Sequence, residues 1–164
     1  MVTDNHISVI DVYNLISDIP DPEIPVITIK DLGMLRKVDF ADNNYVVTIT
    51  PTYTACPAMK MIEDQIKERL HEHHIDNVKV NLTYTPAWTT DWLSEEAKQK
   101  MREYGIAPPT HSSCSKIFAV EEHIQCPQCK SKNSSVISKF GSTACKALYK
   151  CNDCKEVFDY FKCH

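Results

Sequence analysis

Glycine is scarce in this chain, with only Gly33, Gly105 and Gly141 among 164 residues. Three scattered glycines build neither G-x-G-x-x-G nor a Walker loop, both of which need clustered residues without a Cβ where backbone N–H groups close on phosphate. The same scarcity removes the G-x-S-x-G nucleophile elbow. No apolar run approaches the roughly 18–20 residues of a spanning helix, so no membrane partner is expected. The opening MVTDNHISVIDVY is acidic and lacks the basic flank and small-residue cleavage site of an export signal. A cytoplasmic protein is the expectation.

Cysteine, by contrast, is abundant, with eight residues. In a reducing compartment that number points to metal or thiol chemistry rather than a disulfide framework. Six of the eight (Cys126, Cys129, Cys145, Cys151, Cys154 and Cys163) lie in the last quarter. Charge is divided as well. Residues 1–118 carry 11 Lys+Arg against 17 Asp+Glu, net −6, and residues 119–164 carry 7 against 5, net +2. Two modules of different character are implied.

Along the first module, Val9, Val12, Tyr13 and Ile16 recur at the spacing of one helix face. IPDPEIPV then stops that helix, since each proline fixes φ and removes a donor. MLRKVDF and YVVTIT, joined by ADNN, read as two strands and a turn. A helix over 57–73 follows, with Pro57 at its first position and Met59, Ile62, Ile66 and Leu70 as its buried stripe. VKVNLTY alternates, with Val78, Val80, Leu82 and Tyr84 on one face. The fold class is therefore α+β: an α-β-β-α-β domain over 1–85, a helical bridge and linker over 86–118, and a cysteine-rich module over 119–164. In the bridge, Ser94 suits an N-cap, Glu95 and Glu96 a first turn, and Gly105 the exit. APPTHSS reads as a stiff polar linker.

The last module holds two C-x-x-C pairs, Cys126/Cys129 and Cys151/Cys154, with 21 residues between them. Each pair turns two sulfurs toward one point, and a hairpin from SSVISKF and KALYK closes a tetrahedral four-cysteine site for structural zinc, a zinc ribbon. A module of this size buries too little core to fold alone, so metal binding is also folding energy. Lys130 and Lys155 follow the two knuckles, where glycine often relieves the backbone. Lys139, Lys146 and Lys150 with Phe140 and Tyr149 invite a nucleic-acid reading, but net +2 falls short of the basic footprint such binding needs.

Cys56 stands alone between a strand and a helix. At a helix N-terminus, free N–H groups and the dipole lower a thiol pKa, and Thr52 and Thr54 are placed to donate hydroxyl hydrogen bonds to the sulfur. It is read as an outward-facing metal ligand or nucleophile, against a buried packing cysteine. Asp21 and Glu23, held between prolines in DPEIP, either bind a cation or a basic group or form an exposed turn. Cys145 is a candidate extra thiol ligand, with Cys114, Cys163 and His164 unassigned. HEHH at 71–74 closes a helix where histidine suits the negative dipole end. A di-iron bundle needs four metal-bearing helices, and the single Glu68-x-x-His71 match does not supply them.

DPEIP, DLGM (Asp31–Met34) and the threonine-rich run Thr48–Ala58 through Cys56 resemble the small domain of SufT-like iron–sulfur assembly factors. PAWTTDW, YGIAPP, the ribbon, FGSTACKALYKC and the terminal FKCH resemble the D subunits of phenylacetyl-CoA epoxidase systems, the PaaD or PaaJ family. The resemblance implies an accessory subunit in aerobic phenylacetate degradation, assisting iron–sulfur cluster or metal-centre maturation. Its partners would be the oxygenase and iron–sulfur reductase components, with a homodimer left open. It also implies that Cys56 takes a transient iron–sulfur cluster or iron, with Thr54, Asp21 and Glu23 around it, and that no residue is catalytic. The sequence departs from the family pattern at Ala55, where glycine is common. Two rivals of other classes stand: a thiol oxidoreductase using Cys56 with Cys145 or Cys163, and a zinc-ribbon nucleic-acid module.

Overall fold

The computed structural model describes residues 7–109 and 123–162, in two compact units that divide between Ala87 and Trp88. Cys114, Cys163 and His164 lie outside the described residues.

In the first unit, α1 (Val9–Ser17) is capped by the Ser8 hydroxyl, which accepts from the Asp11 N–H. It buries Val12 and Ile16. β1 (Leu35–Ala41) and β2 (Asn44–Ile49) form an antiparallel hairpin. Its turn residues Asp42 and Asn43 take φ of 50° and 60°, the left-handed pair that matches strand twist and that these two side chains tolerate. α2 (Ala58–Glu72) then returns the chain so that β3 (Val78–Leu82) pairs parallel to β2, the connection a parallel pair requires. Ile62, Ile66 and Leu70 of α2 are fully buried, as are Val47 and Ile49 of β2. Arg69 ties α2 to α1, donating to the Leu15 carbonyl and the Asp18 carboxylate at 3.2 and 2.7 Å. The α-β-β-α-β order is as expected.

Two details differ from expectation. VKVNLTY alternates, yet Leu82 is 46% exposed and Tyr84 is exposed too, because β3 is an edge of the order β1-β2-β3 and its apolar side is only part covered. The proline-rich stretch after α1 does more than stop a helix. Ile19, Ile24, Ile27, Ile29 and Leu32 are all buried, and a short bridge pairs Pro20 with Thr28. This loop is a folded part of the core.

The second unit begins with a short 3-10 turn at Thr90–Trp92 and α3 (Glu95–Tyr104). The Ser94 hydroxyl caps α3 through the Ala97 N–H, and Gly105 ends it at φ 95°, the left-handed exit that favours glycine. β4 (Ile106–Ala107) then pairs parallel with β7 (Val157–Phe161). β5 (Ser134–Ser138) and β6 (Lys146–Cys151) complete a four-stranded sheet in the order β4-β7-β6-β5. The bridge thus shares a sheet with the ribbon, and Ala107, Pro108 and Pro109 are buried where a polar linker was expected. The core of this unit packs Tyr149, Phe158 and Tyr160 with Ala107, Ile124 and Ala147, and two cysteines complete it.

Candidate functional site

Those two cysteines are Cys126 and Cys151. With Cys129 and Cys154 they form a cluster whose sulfurs all lie within 4.8 Å of one another. Cys126 and Cys154 sulfurs are 3.7 Å apart, and those of Cys129 and Cys151 are 3.5 Å apart. A tetrahedron with Zn–S bonds of about 2.3 Å has edges of about 3.8 Å. The four sulfurs therefore fit zinc.

The two knuckles are built alike. In each, the residue after the second cysteine donates its N–H to the first cysteine's carbonyl: Lys130 to Cys126 at 3.0 Å and Lys155 to Cys151 at 3.1 Å. Both lysines take positive φ, 63° and 69°, so the glycine-like positions noted in the sequence are left-handed here. Asp153 ties the knuckles together, accepting from Ser131 Oγ and Asn133 Nδ2, and these bonds hold its carboxyl below the usual range. The thiols are not equivalent. Cys151 falls to about 7, chiefly because the Cys154 N–H donates to its sulfur. At Cys154 the Glu156 N–H favours the thiolate, but burial and the neighbouring sulfurs push it up to about 12. A cation at the centre removes that crowding of negative charge.

Cys56 lies at the start of α2. Although the helix is bounded at Ala58, Pro57 already has helical dihedrals (φ −71°, ψ −19°), and Cys56 Sγ accepts from the Ala58 N–H, as an N-cap side chain does. The thiol is half-buried. Its pKa is raised, not lowered as the helix end alone implied. Burial is the main cause; the Ala58 N–H opposes it, and the carboxylates of Glu23 and Asp21 add to it. The structure thus brings DPEIP to bear on Cys56. Asp21 is buried, and its Oδ1 accepts from the Glu23 and Ile24 N–H groups at 2.9 and 2.8 Å. It is a folded cap inside the loop and not an exposed turn.

The sulfur's hydroxyl partner is Tyr53, a residue the sequence reading passed over. Thr54 is exposed and Thr52 is buried. Tyr53 is recognisable only once the turn is seen, where the Cys56 N–H donates to the Tyr53 carbonyl. Ala55 is not among the residues with positive φ, so alanine sits there without strain. Cys145 is buried, 3.0 Å from the Thr143 hydroxyl, and is not part of the four-cysteine cluster. His71 pairs with Asp76 at 2.5 Å in solvent.

Comparison with known proteins matches both units. Residues 10–82 match the family model for iron–sulfur cluster assembly proteins, and residues 110–162 the model for the PaaD zinc beta ribbon domain. The putative 1,2-phenylacetyl-CoA epoxidase D subunit of Escherichia coli K12 is 48% identical over 93% of this chain and 92% of its own length. The chain belongs to this D-subunit family. A Porphyromonas gingivalis Fe-S protein maturation auxiliary factor is 37% identical over 53% of this chain and 84% of its own length. A Bacillus anthracis domain of unknown function, DUF59, superposes with a TM-score of 0.52 at 27% identity, covering 57% of this chain and 90% of the other. Homology to an epoxidase subunit and to maturation factors supports an accessory role. Among the described residues, no helix is long and apolar enough to cross a membrane.

Proposed function

We propose that this chain serves a phenylacetyl-CoA epoxidase system as a non-catalytic accessory subunit, receiving iron or an iron–sulfur cluster at Cys56 and passing it to the oxygenase or its iron–sulfur reductase. The observation that carries the reading is the setting of that thiol: half-buried at a helix start, its pKa raised by burial first and then by the carboxylates of Glu23 and Asp21. A thiol whose pKa is raised by burial, and further by nearby carboxylates, is a slow nucleophile. It suits a cation, which is drawn in by the carboxylates and displaces the proton on binding. Zinc in the Cys126/Cys129/Cys151/Cys154 site holds the ribbon folded and takes no part in transfer. The thiol oxidoreductase reading fits less well, since it wants a lowered pKa at Cys56 and one of its two resolving candidates, Cys145, is buried, the other, Cys163, lying outside the described residues.

Anaerobic reconstitution with ferrous iron and sulfide tests the proposal. Wild type is expected to load iron beyond its zinc and to yield it to the apo reductase component, whereas Cys56→Ala loads none. Equal uptake by the two proteins refutes the role of Cys56. Turnover of a dithiol substrate by wild type, lost in Cys56→Ala, would establish the oxidoreductase instead.

A further inference from the structure

The ribbon's sheet ends on β5, whose outer edge has no strand partner among the described residues. Its sequence, SSVIS, carries neither the charge nor the proline that commonly discourages pairing at an edge. A bulge between Val136 and Ser138 confines the regular ladder to Ser134–Val136. Large apolar side chains crowd this edge in the open: Val136, Ile137 at 53% exposure, and Phe140 at 67% just beyond the strand.

Charge is distributed around the same edge. Four of the ribbon's lysines are engaged within it. Lys130 donates to the Pro127 carbonyl, Lys146 to Ser142 Oγ, Lys155 to the Asn152 carbonyl, and Lys162 to the Lys139 carbonyl while lying over the Phe140 ring. The ammonium groups of Lys132, Lys139 and Lys150 have no such partner among the described residues. Two of them flank the open edge, and the third sits one strand in, on β6. Lys132 and Lys139 bracket it in sequence, and Lys150 lies beside it, with Ser135 as its cross-strand partner. A second copy of this chain is a poor occupant, since antiparallel self-pairing along β5 sets Lys132 of one copy beside Lys139 of the other, twice over.

We propose that β5 is a docking edge for an extended acidic segment of a protein partner. The segment adds as a fifth strand, its apolar side chains on Val136 and Ile137 and its carboxylates on Lys132 and Lys139, with Lys150 one strand further in adding to the positive field. Open ladder groups and apolar contacts are features of strand addition, while three cations with net +2 over residues 119–164 make a weak phosphate-tracking surface. The identity of the partner as an epoxidase component rests on the function proposed above; the chemistry of the edge does not.

The test uses the full zinc-loaded chain, labelled with 15N, and three probes: a nine-residue peptide alternating valine and glutamate, its lysine-for-glutamate counterpart, and a ten-nucleotide oligo-dT. Seven extended residues span roughly 23 Å, so nine cover the distance from Lys132 to Lys139. The glutamate peptide is expected to shift the amides of residues 132–139 and to bind the double variant Lys132→Glu/Lys139→Glu about tenfold or more weakly. That variant is expected to prefer the lysine peptide, with its zinc content and remaining spectrum reporting that it is folded. Lys132→Gln/Lys139→Gln is expected to fall between the two. Equal binding of both peptides by wild type, shifts confined to other strands, or no binding overturns the proposal. Tighter binding of oligo-dT through the same lysines replaces it with a nucleic-acid surface. Cys56→Ala is expected to bind the glutamate peptide as wild type does, so loss of docking and loss of iron loading are read separately.

Discussion

Replacing Asp21 should damage the first unit through its backbone, before any metal is considered. Asp21 Oδ1 accepts two N–H groups, from Glu23 and Ile24, at 2.9 and 2.8 Å, and the second of these bonds is buried. A hydrogen bond to a charged acceptor contributes about 1.5–3 kcal/mol, and a buried donor left without one costs a similar amount. Because the two donors share one oxygen, their losses are not fully additive. Asp21→Ala is therefore expected to destabilise the unit by about 2–3 kcal/mol. For a unit of 87 residues this lowers Tm by about 8–24 °C. Asp21→Asn keeps an oxygen in place and exchanges a charged acceptor for a neutral one, at about 1 kcal/mol. Calorimetry of the zinc-loaded full chain reads both, with the ribbon's transition as an internal control. A loss below about 0.5 kcal/mol for Asp21→Ala, within the ordinary range for surface substitutions, would refute the reasoning. So would an Asn variant as damaged as the Ala variant.

Cys56 is expected to alkylate slowly at neutral pH, with a rate that climbs with pH and has not levelled off at pH 9, since burial and the nearby carboxylates raise its pKa from that value. Glu23→Gln should move the profile to lower pH; an unchanged profile in iodoacetamide kinetics would deny the carboxylate's influence. Removing zinc with a strong chelator should abolish the near-ultraviolet signal of Tyr149 and Tyr160, because structural zinc supplies roughly 10–16 kcal/mol of apparent folding energy in small domains. One zinc per chain should appear in the chelator, and Cys151→Ser should prevent its uptake. The pKa of His71 is raised by hydrogen bonding to Asp76 and by that carboxylate's charge. Its stabilisation is thus fully present below pH 6.5 and fades as pH rises through the folded value above it. An NMR titration should place His71 above 6.5 and Asp76→Asn should bring it back.

Much of this molecule was legible where local chemistry decides the structure. Asp42-Asn43 specified a hairpin turn, Ser94 and Gly105 bounded a helix, and the two C-x-x-C pairs announced their own knuckles. What escaped depended on residues far apart in the chain. β4 is two residues long, too short for any periodicity, and exists because β7 offers it an edge. The pKa of Cys56 reversed direction chiefly because the fold half-buries the thiol, with the carboxylates of DPEIP, some 35 residues upstream, adding to the rise. A helix start predicts a lowered pKa only when its surroundings are ignored. The loop after α1 hid its role for a related reason. Its prolines advertise a break, while its isoleucines follow neither a helical nor a strand period, so nothing local shows that they pack inward.

The parallel pairing of β4 with β7 also settles where this protein can be cut. A fragment beginning at residue 119 holds all four clustered cysteines, yet it strips β7 of a neighbour and removes Trp88, whose ring meets Phe161 edge-on with centroids 6.0 Å apart. The cysteine-rich module is therefore no portable cassette at the boundary its cysteines advertise. Grafting it to a new carrier, or trading it between relatives, calls for a splice upstream of Trp88, which carries α3 along with it.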